Sequence, residues 1–284
     1  MMPGTCGELV QGAIDGVAFH VSCPIDIFSV VTVELSDAND EWIFPSKSPK
    51  AASAVRMSLE YFGASELGGQ LFIESHLPRA KGMASSTADV AGAIYAVALA
   101  LGHNLTYAEV AAIALRIEPS DGSIFPGIAL FDHRKGSRYA YLGPPPAIDI
   151  VVLDFGGEVD TVSFNAEDKS DLLQRLQPQS KEALEMASEG LRVGDLALIG
   201  KAATLSALAN QEVLYKPELD RVLRLAEKVD ALGVNIGHSG TVIGVFLDRS
   251  QANPDKVAAF LVSQLPGLER ARVCRLIDGG YRKA

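Results

Sequence analysis

Residues 78–88 read Pro78-Arg79-Ala80-Lys81-Gly82-Met83-Ala84-Ser85-Ser86-Thr87-Ala88, and an Ala-rich amphipathic stretch follows at once. Small residues and paired hydroxyls crowd the point where a helix begins. The first-turn N–H groups of a helix lack intrahelical partners, and the dipole is positive there, so an uncluttered backbone at this point makes a phosphate cradle. A Ser-Ser-Thr cluster also serves as an ordinary helix cap. Capping alone asks for none of Lys81, Gly82 and Ala84, and their presence tilts the segment toward a bound anion.

Outward from the cradle, Val90, Ala91, Ile94, Val97, Ala98 and Leu101 recur at helical spacing, and Gly102 supplies the stop. Thr106 with Glu109 forms a capping-box pattern opening another helix, which Pro119 ends. Upstream, 51–62 fits a helix closed by Gly63 and 70–75 a strand; 17–35 reads as two strands broken near 22–24, with Trp42-Ile43-Phe44 a short strand. Downstream, 125–131 and 138–142 pattern as a hairpin and 148–155 as a buried strand. From about 156 the texture changes: 158–176 is mixed and polar, then helical patterns cover 179–191, 195–210 and 217–231. Strands at 234–236 and 241–247 flank Gly237-His238-Ser239-Gly240, and a helix at 253–264 and a strand at 271–277 follow. Strands and helices alternate in both halves. The expectation is an α+β chain of two domains, 1–156 and 157–284.

The composition is that of a globular protein: 284 residues, 48% hydrophobic and 21% charged. A net charge of −10 argues against nucleic acid or an anionic membrane as partner. A phosphorylated ligand would be held locally, by backbone N–H groups, a few cations and a metal ion. Cys6, Cys23 and Cys274 are few, scattered and odd in number, which suggests neither a zinc site nor a disulfide framework; Cys6 and Cys23 read as packing residues. The opening residues carry no signal-peptide pattern, and no apolar run approaches the ~20 residues of a membrane span. A reducing, cytoplasmic setting is expected. Gly194…Gly200-Lys201 fails as a Walker A loop in spacing and in lacking a Ser/Thr after the lysine, and no G-x-G-x-x-G follows a strand.

The stretch 78–88 resembles the second signature of the GHMP kinases, P-x-x-x-G-L-G-S-S-A, with Ala84 for the second glycine and Thr87 for the alanine. Pro3-Gly4-Thr5-Cys6-Gly7-Glu8-Leu9-Val10-Gln11-Gly12 looks like the N-terminal signature and 235–244 like the Gly-rich C-terminal one. The resemblance implies a ribosomal protein S5 domain 2-like N-terminal domain and a ferredoxin-like C-terminal domain, with ATP and acceptor meeting in the cleft between them. Ile117-Glu118-Pro119-Ser120-Asp121-Gly122 and Leu130-Phe131-Asp132-His133 resemble the branch that phosphorylates the side-chain hydroxyl of L-threonine for adenosylcobalamin biosynthesis. Homoserine is the alternative acceptor. A non-catalytic nucleotide-binding protein and a serine hydrolase built on Gly237-His238-Ser239-Gly240-Thr241 are rivals from other classes. The latter lacks the final glycine and runs into a strand where a nucleophile elbow needs a helix.

Phosphoryl transfer asks a protein mainly for positioning and electrostatics. Gly82, Ala84, Ser85, Ser86 and Thr87 are the expected phosphate ligands, with Lys81 as a local cation. The Ser86 hydroxyl matches the family's Mg²⁺ ligand, and Glu118 is the partner carboxylate, unless it is a solvated helix-end charge. Glu109 competes for that role, but capping already explains it. Asp121 is the expected base, on a turn where Ser-Asp-Gly is also common for structural reasons. It falls two residues early against the family's Pro-Ser-Gly-x-Asp, and Thr5 and Cys6 stand where some relatives place a basic partner. Asp26 is the candidate for an acceptor ammonium, or else a strand-end residue. Ser239 and Thr241, with His238, are assigned to the phosphate or acceptor pocket. His20, His76, His103 and His133 are scattered and read as structural or exposed.

Overall fold

Met2–Ile14 forms strand β1 and Val17–Ala38 strand β2, paired as a long antiparallel hairpin. The computed structural model describes residues 1–38, 41–157 and 169–283, so most of the polar stretch over 158–176 lies outside the described residues. The break expected near 22–24 does not occur. Pro24 sits opposite Thr5, and the irregularity is taken up as register shifts along β1 between Pro3 and Val10. A bulge lets a strand pass a residue that cannot join the ladder without ending it. Patterning does not reveal strand β1, because its small and polar residues carry no alternation.

The remaining strands are β3 (Trp42–Ile43), β4 (Leu67–Ser75), β5 (Ile128–Phe131), β6 (Tyr139–Gly143), β7 (Ile148–Asp154), β8 (Gly233–Ile236), β9 (Val242–Asp248) and β10 (Arg270–Arg275). They form one sheet in the order β10-β7-β9-β8-β1-β2-β4-β3, with the β5–β6 hairpin branching from β2. The sheet is joined across its middle by the pairing of Glu8 on β1 with Ile236 on β8. Gly7 makes that approach feasible: its φ is +55°, and a Cβ there would lie 2.3 Å from the Ile236 carbonyl oxygen.

Helices α1 (Pro49–Tyr61), α2 (Ser85–Ala100) and α3 (Tyr107–Leu115) pack on β1, β2 and β4 through a core that includes Met2, Val55, Leu71, Ile94 and Val110. Thr106 and Glu109 make the expected capping box at α3. Beyond 169 come α4 (Ser170–Arg175), α5 (Gln177–Val193), α6 (Leu196–Asn210), α7 (Leu219–Lys228) and α8 (Pro254–Gln264). A second core joins Leu9 and Phe19 to Ala187, Ile199 and Phe246, so it draws on both sides of residue 156; a third packs α7 and α8 on β7–β9. The free cysteines Cys6, Cys23 and Cys274 are all buried. Among the described residues no helix is long and apolar enough to cross a membrane.

Candidate active site

The cradle is built from unusual backbone. Ala80, Gly82 and Ala84 have φ of 57°, 76° and 52°, and Ala84 directly precedes α2. Alternating left-handed residues before a helix N-terminus form an anion-binding concavity, at a cost for the two alanines. Contacts from two other segments hold the loop. Thr5 N–H donates to the Met83 carbonyl at 3.1 Å, and Thr241 N–H to the Lys81 carbonyl at 3.2 Å. Gly240 lies so close that a Cβ on it would come within 2.2 Å of the Gly82 nitrogen. All three signature segments therefore meet at one point.

No hydroxyl caps α2. Ser86 Oγ instead donates to Glu118, and Thr87 Oγ1 accepts the Asp121 N–H at 3.1 Å. Gly82, Ala84, Ser85, Ser86, Thr87, Glu118, Asp121 and Ser239 line a single pocket. Glu109 is committed to the α3 cap and to the Tyr61 hydroxyl.

Three expected site residues lie outside that lining. Lys81 turns away, with Nζ 3.1 Å from Asp154 and 2.8 Å from the Gly157 carbonyl; the left-handed residues either side reverse the chain and point it toward β7. The cation at the pocket is Lys50, near the start of α1, which contacts Glu118. Asp26 is exposed near the middle of β2, where it accepts the Arg275 N–H at 2.8 Å and ties β2 to β10. Thr241 secures the cradle through its N–H, while its hydroxyl sits 3.4 Å from Asp154.

The structure also assembles groups that patterning left apart. His20 and His133, separated in sequence, stack with centroids 3.7 Å apart, and His238 lies tilted 4.4 Å from His20. All three line the pocket with Glu8. Strand β2 supplies His20, the segment after β5 supplies His133, and the β8–β9 turn supplies His238. His238 carries a signal in the sequence through its signature segment, and it does line the pocket; His20 and His133, isolated in sequence, carry none, and Glu8 stands in a signature segment that assigns it no role. Lys50 has no such signal.

Burial dominates the electrostatics here. It drives His20 and His238 well below the usual histidine range and His133 to about 3, so the imidazoles stay neutral. Glu8, 5% exposed, is pushed well above the carboxylate range by burial and then by the Asp121 charge. Asp121 is raised by burial, partly offset by the Ser123 N–H donated to it at 2.7 Å. A carboxylate so raised is suited to taking up a proton. The Ser86 hydroxyl and Glu118 carboxylate, in contact beside the helix N-terminus, are an oxygen pair of the kind magnesium takes alongside phosphate and water.

Two sequence models match: "GHMP kinases N terminal domain" over residues 49–128 and "GHMP kinases C terminal" over 175–266. The chain is 33% identical to the L-threonine kinase of Citrobacter freundii over 283 residues, covering 98% of this chain and 96% of that protein. It is 34% identical to the L-threonine kinase of Salmonella typhimurium over 254 residues, 88% and 82% of the two chains. Among solved structures, homoserine kinase from Cytophaga hutchinsonii superposes with a TM-score of 0.75 at 17% identity, covering 98% of this chain and 94% of that one. L. major mevalonate kinase in complex with R-mevalonate gives 0.74 at 15%, covering 99% and 97%. At such identities these two likenesses speak to the fold alone.

Proposed function

This chain belongs to the GHMP kinase family, and from that premise we propose that it transfers the γ-phosphate of ATP to the side-chain hydroxyl of L-threonine, giving O-phospho-L-threonine and ADP. The observation that carries the reading is the hydrogen bond from the Asp121 N–H to Thr87 Oγ1, which holds the Asp121 backbone, with its carboxyl group in the pocket lining, against the first turn of α2. Donor and acceptor sites are thereby adjacent. The likeness to two L-threonine kinases over most of each chain supports threonine over homoserine.

In this reading the N–H groups around Gly82, Ala84, Ser85, Ser86 and Thr87 receive the donor phosphates, and Lys50 adds positive charge beside them. Ser86 and Glu118 hold Mg²⁺, which when bound neutralises charge on the phosphates. Asp121 orients the acceptor hydroxyl and takes its proton as the oxygen–phosphorus bond forms and the bond from the γ-phosphorus to the departing ADP oxygen breaks. Ser239 closes the acceptor side. We place the domain division at 156, a position supported by the two family matches falling on either side of it. The motif wording supports a product that feeds cobalamin biosynthesis, and the three scattered free cysteines fit a reducing, cytoplasmic setting.

An ATP-coupled assay tests the proposal: ADP release should depend on L-threonine and exceed that with L-serine or L-homoserine. Asp121→Asn should lower kcat on threonine by about 10²–10⁴, the range of a general base. Preference for homoserine would reassign the acceptor, nucleotide binding without turnover would make this a binding protein, and an unchanged kcat would remove Asp121 from the mechanism.

A further inference from the structure

One acceptor atom from each of Glu8, His20 and Asp121 lies within 4.8 Å of the other two, in the wall of the pocket. The three arrive from β1, β2 and the turn after α3, and Glu8 and His20 are buried. Glu8 Oε2 accepts the His238 N–H at 2.8 Å. Its other oxygen is 3.7 Å from His20 Nδ1, beyond hydrogen-bond reach. Neither ring nitrogen of His20 has a hydrogen-bond partner among the described residues. Asp121 accepts the Ser123 N–H at 2.7 Å. Two acidic side chains and a neutral imidazole thus converge, each with acceptor capacity to spare. Lys216 acts on Glu8 through space but does not line the pocket.

The geometry points to a subsite for a primary ammonium, the α-ammonium of a hydroxy amino acid, held by Glu8, His20 and Asp121. An ammonium donating three charge-assisted bonds of about 2.7–2.9 Å in tetrahedral directions needs acceptors about 4.4–4.7 Å apart. The trio offers three acceptors for three N–H donors, all within 4.8 Å of one another, with Glu8 and His20 the closer pair at 3.7 Å. The alternative occupant, a metal on His20, His133 and His238, fits less well: the near-parallel stack of the first two rings, 10° between planes, sends their lone pairs side by side rather than to one point.

The subsite also bears on acceptor choice and rests on the kinase reading for that part. In a 2-amino-3-hydroxy acid the ammonium and hydroxyl stand on adjacent carbons. An ammonium seated against Asp121 therefore brings the hydroxyl to the same carboxylate that takes its proton. In homoserine the hydroxyl is one carbon further away. The site thus reads the vicinal ammonium–hydroxyl pair, which favours threonine and serine as a class.

The test compares L-threonine, L-threoninol (ammonium and hydroxyl, no carboxylate) and 3-hydroxybutyrate (hydroxyl and carboxylate, no ammonium) in turnover and in calorimetric binding, with wild type and Glu8→Gln. The wild type should bind both ammonium compounds and reject 3-hydroxybutyrate. Glu8→Gln, which keeps an acceptor for His238 N–H, should raise KM for threonine about 10–100-fold with KM for ATP unchanged. Turnover of threonine with 3-hydroxybutyrate equally accepted, or a threonine KM indifferent to Glu8→Gln, overturns the subsite and leaves the kinase standing. Glu8-dependent binding of threoninol without threonine-dependent ADP release supports the subsite and overturns the kinase reading; absence of both overturns both. Should Glu8→Gln fail to fold, the wild-type discrimination between threonine and 3-hydroxybutyrate decides. A metal at these residues would leave that discrimination indifferent to the amino group.

Discussion

Lys50 and Lys81 exchange the tasks their sequence positions suggest. Lys81 stands in the middle of the signature, yet its ammonium is 3.1 Å from Asp154 with both side chains about 15% exposed or less. Lys50, with no motif around it, contacts Glu118 at the pocket and is 42% exposed. Opposite consequences follow. Removing one partner of a mostly buried ion pair strands the other charge, so Lys81→Met should cost about 3 kcal/mol of stability. The exposed Lys50 contributes little to folding, and Lys50→Met should leave Tm nearly unchanged while lowering kcat/KM for ATP about tenfold or more. Denaturant unfolding and ATP-saturation kinetics on the two variants check this; a Lys81→Met protein of normal stability and impaired ATP use would restore the sequence-based assignment. The residue types of the proposed cradle are legible because a phosphate site favours small side chains and hydroxyls. Which lysine serves it is not, because three left-handed residues in five reverse the chain direction there.

At the scale of elements, the periodic segments behaved as their spacing predicts: α2, α3, α6 and the β7 and β9 strands lie where hydrophobic repeats put them. The errors fall where pairing rather than periodicity decides. Strand β1 carries no alternating pattern because it is buried along nearly its whole length. Strand β2 runs through Pro24 because the bulges in β1 accommodate it. The joint between the cradle and the β8–β9 turn is equally invisible in spacing, and it makes a sharp prediction. Gly240→Ala would press a Cβ to 2.2 Å from the Gly82 nitrogen and the Lys81 carbonyl oxygen, backbone atoms that cannot swing aside. It should destabilise the chain by about 1–3 kcal/mol and raise KM for ATP. Gly237→Ala is the control: its Cβ would meet Gly82 at 3.5 Å, an ordinary contact, and should be tolerated. Equal ATP affinity in the two variants would dissolve the link between this turn and the cradle.

Across the whole molecule, burying His20, His133, His238, Glu8 and Asp121 around one pocket couples stability to pH. Histidines held below their unfolded value bind fewer protons folded than unfolded, so their contribution falls as pH drops from about 6.5 toward the folded value, about 3 for His133. Glu8 and Asp121, held above theirs, act oppositely: they favour the fold below the unfolded carboxylate value and lose that contribution as pH rises through the folded one. Three groups outweigh two between pH 6.5 and 5, so Tm should fall on acidification. His133→Phe should flatten that fall by up to one proton's worth, about 1.4 kcal/mol per pH unit, and Glu8→Gln should steepen it. Melting curves at pH 7 and 5 read both slopes, and identical slopes in all three proteins would deny the coupling. The sequence by itself determined the α+β class, most elements, the family and the segment we propose as the phosphate cradle, because these rest on spacing along one chain and on local residue types. Tertiary structure alone decided which further groups join Asp121 and His238 in the pocket wall. Glu8, His20, Asp121, His133 and His238 are brought together by long-range strand pairing and loop placement, and their shifted titration arises only from the burial that this assembly creates.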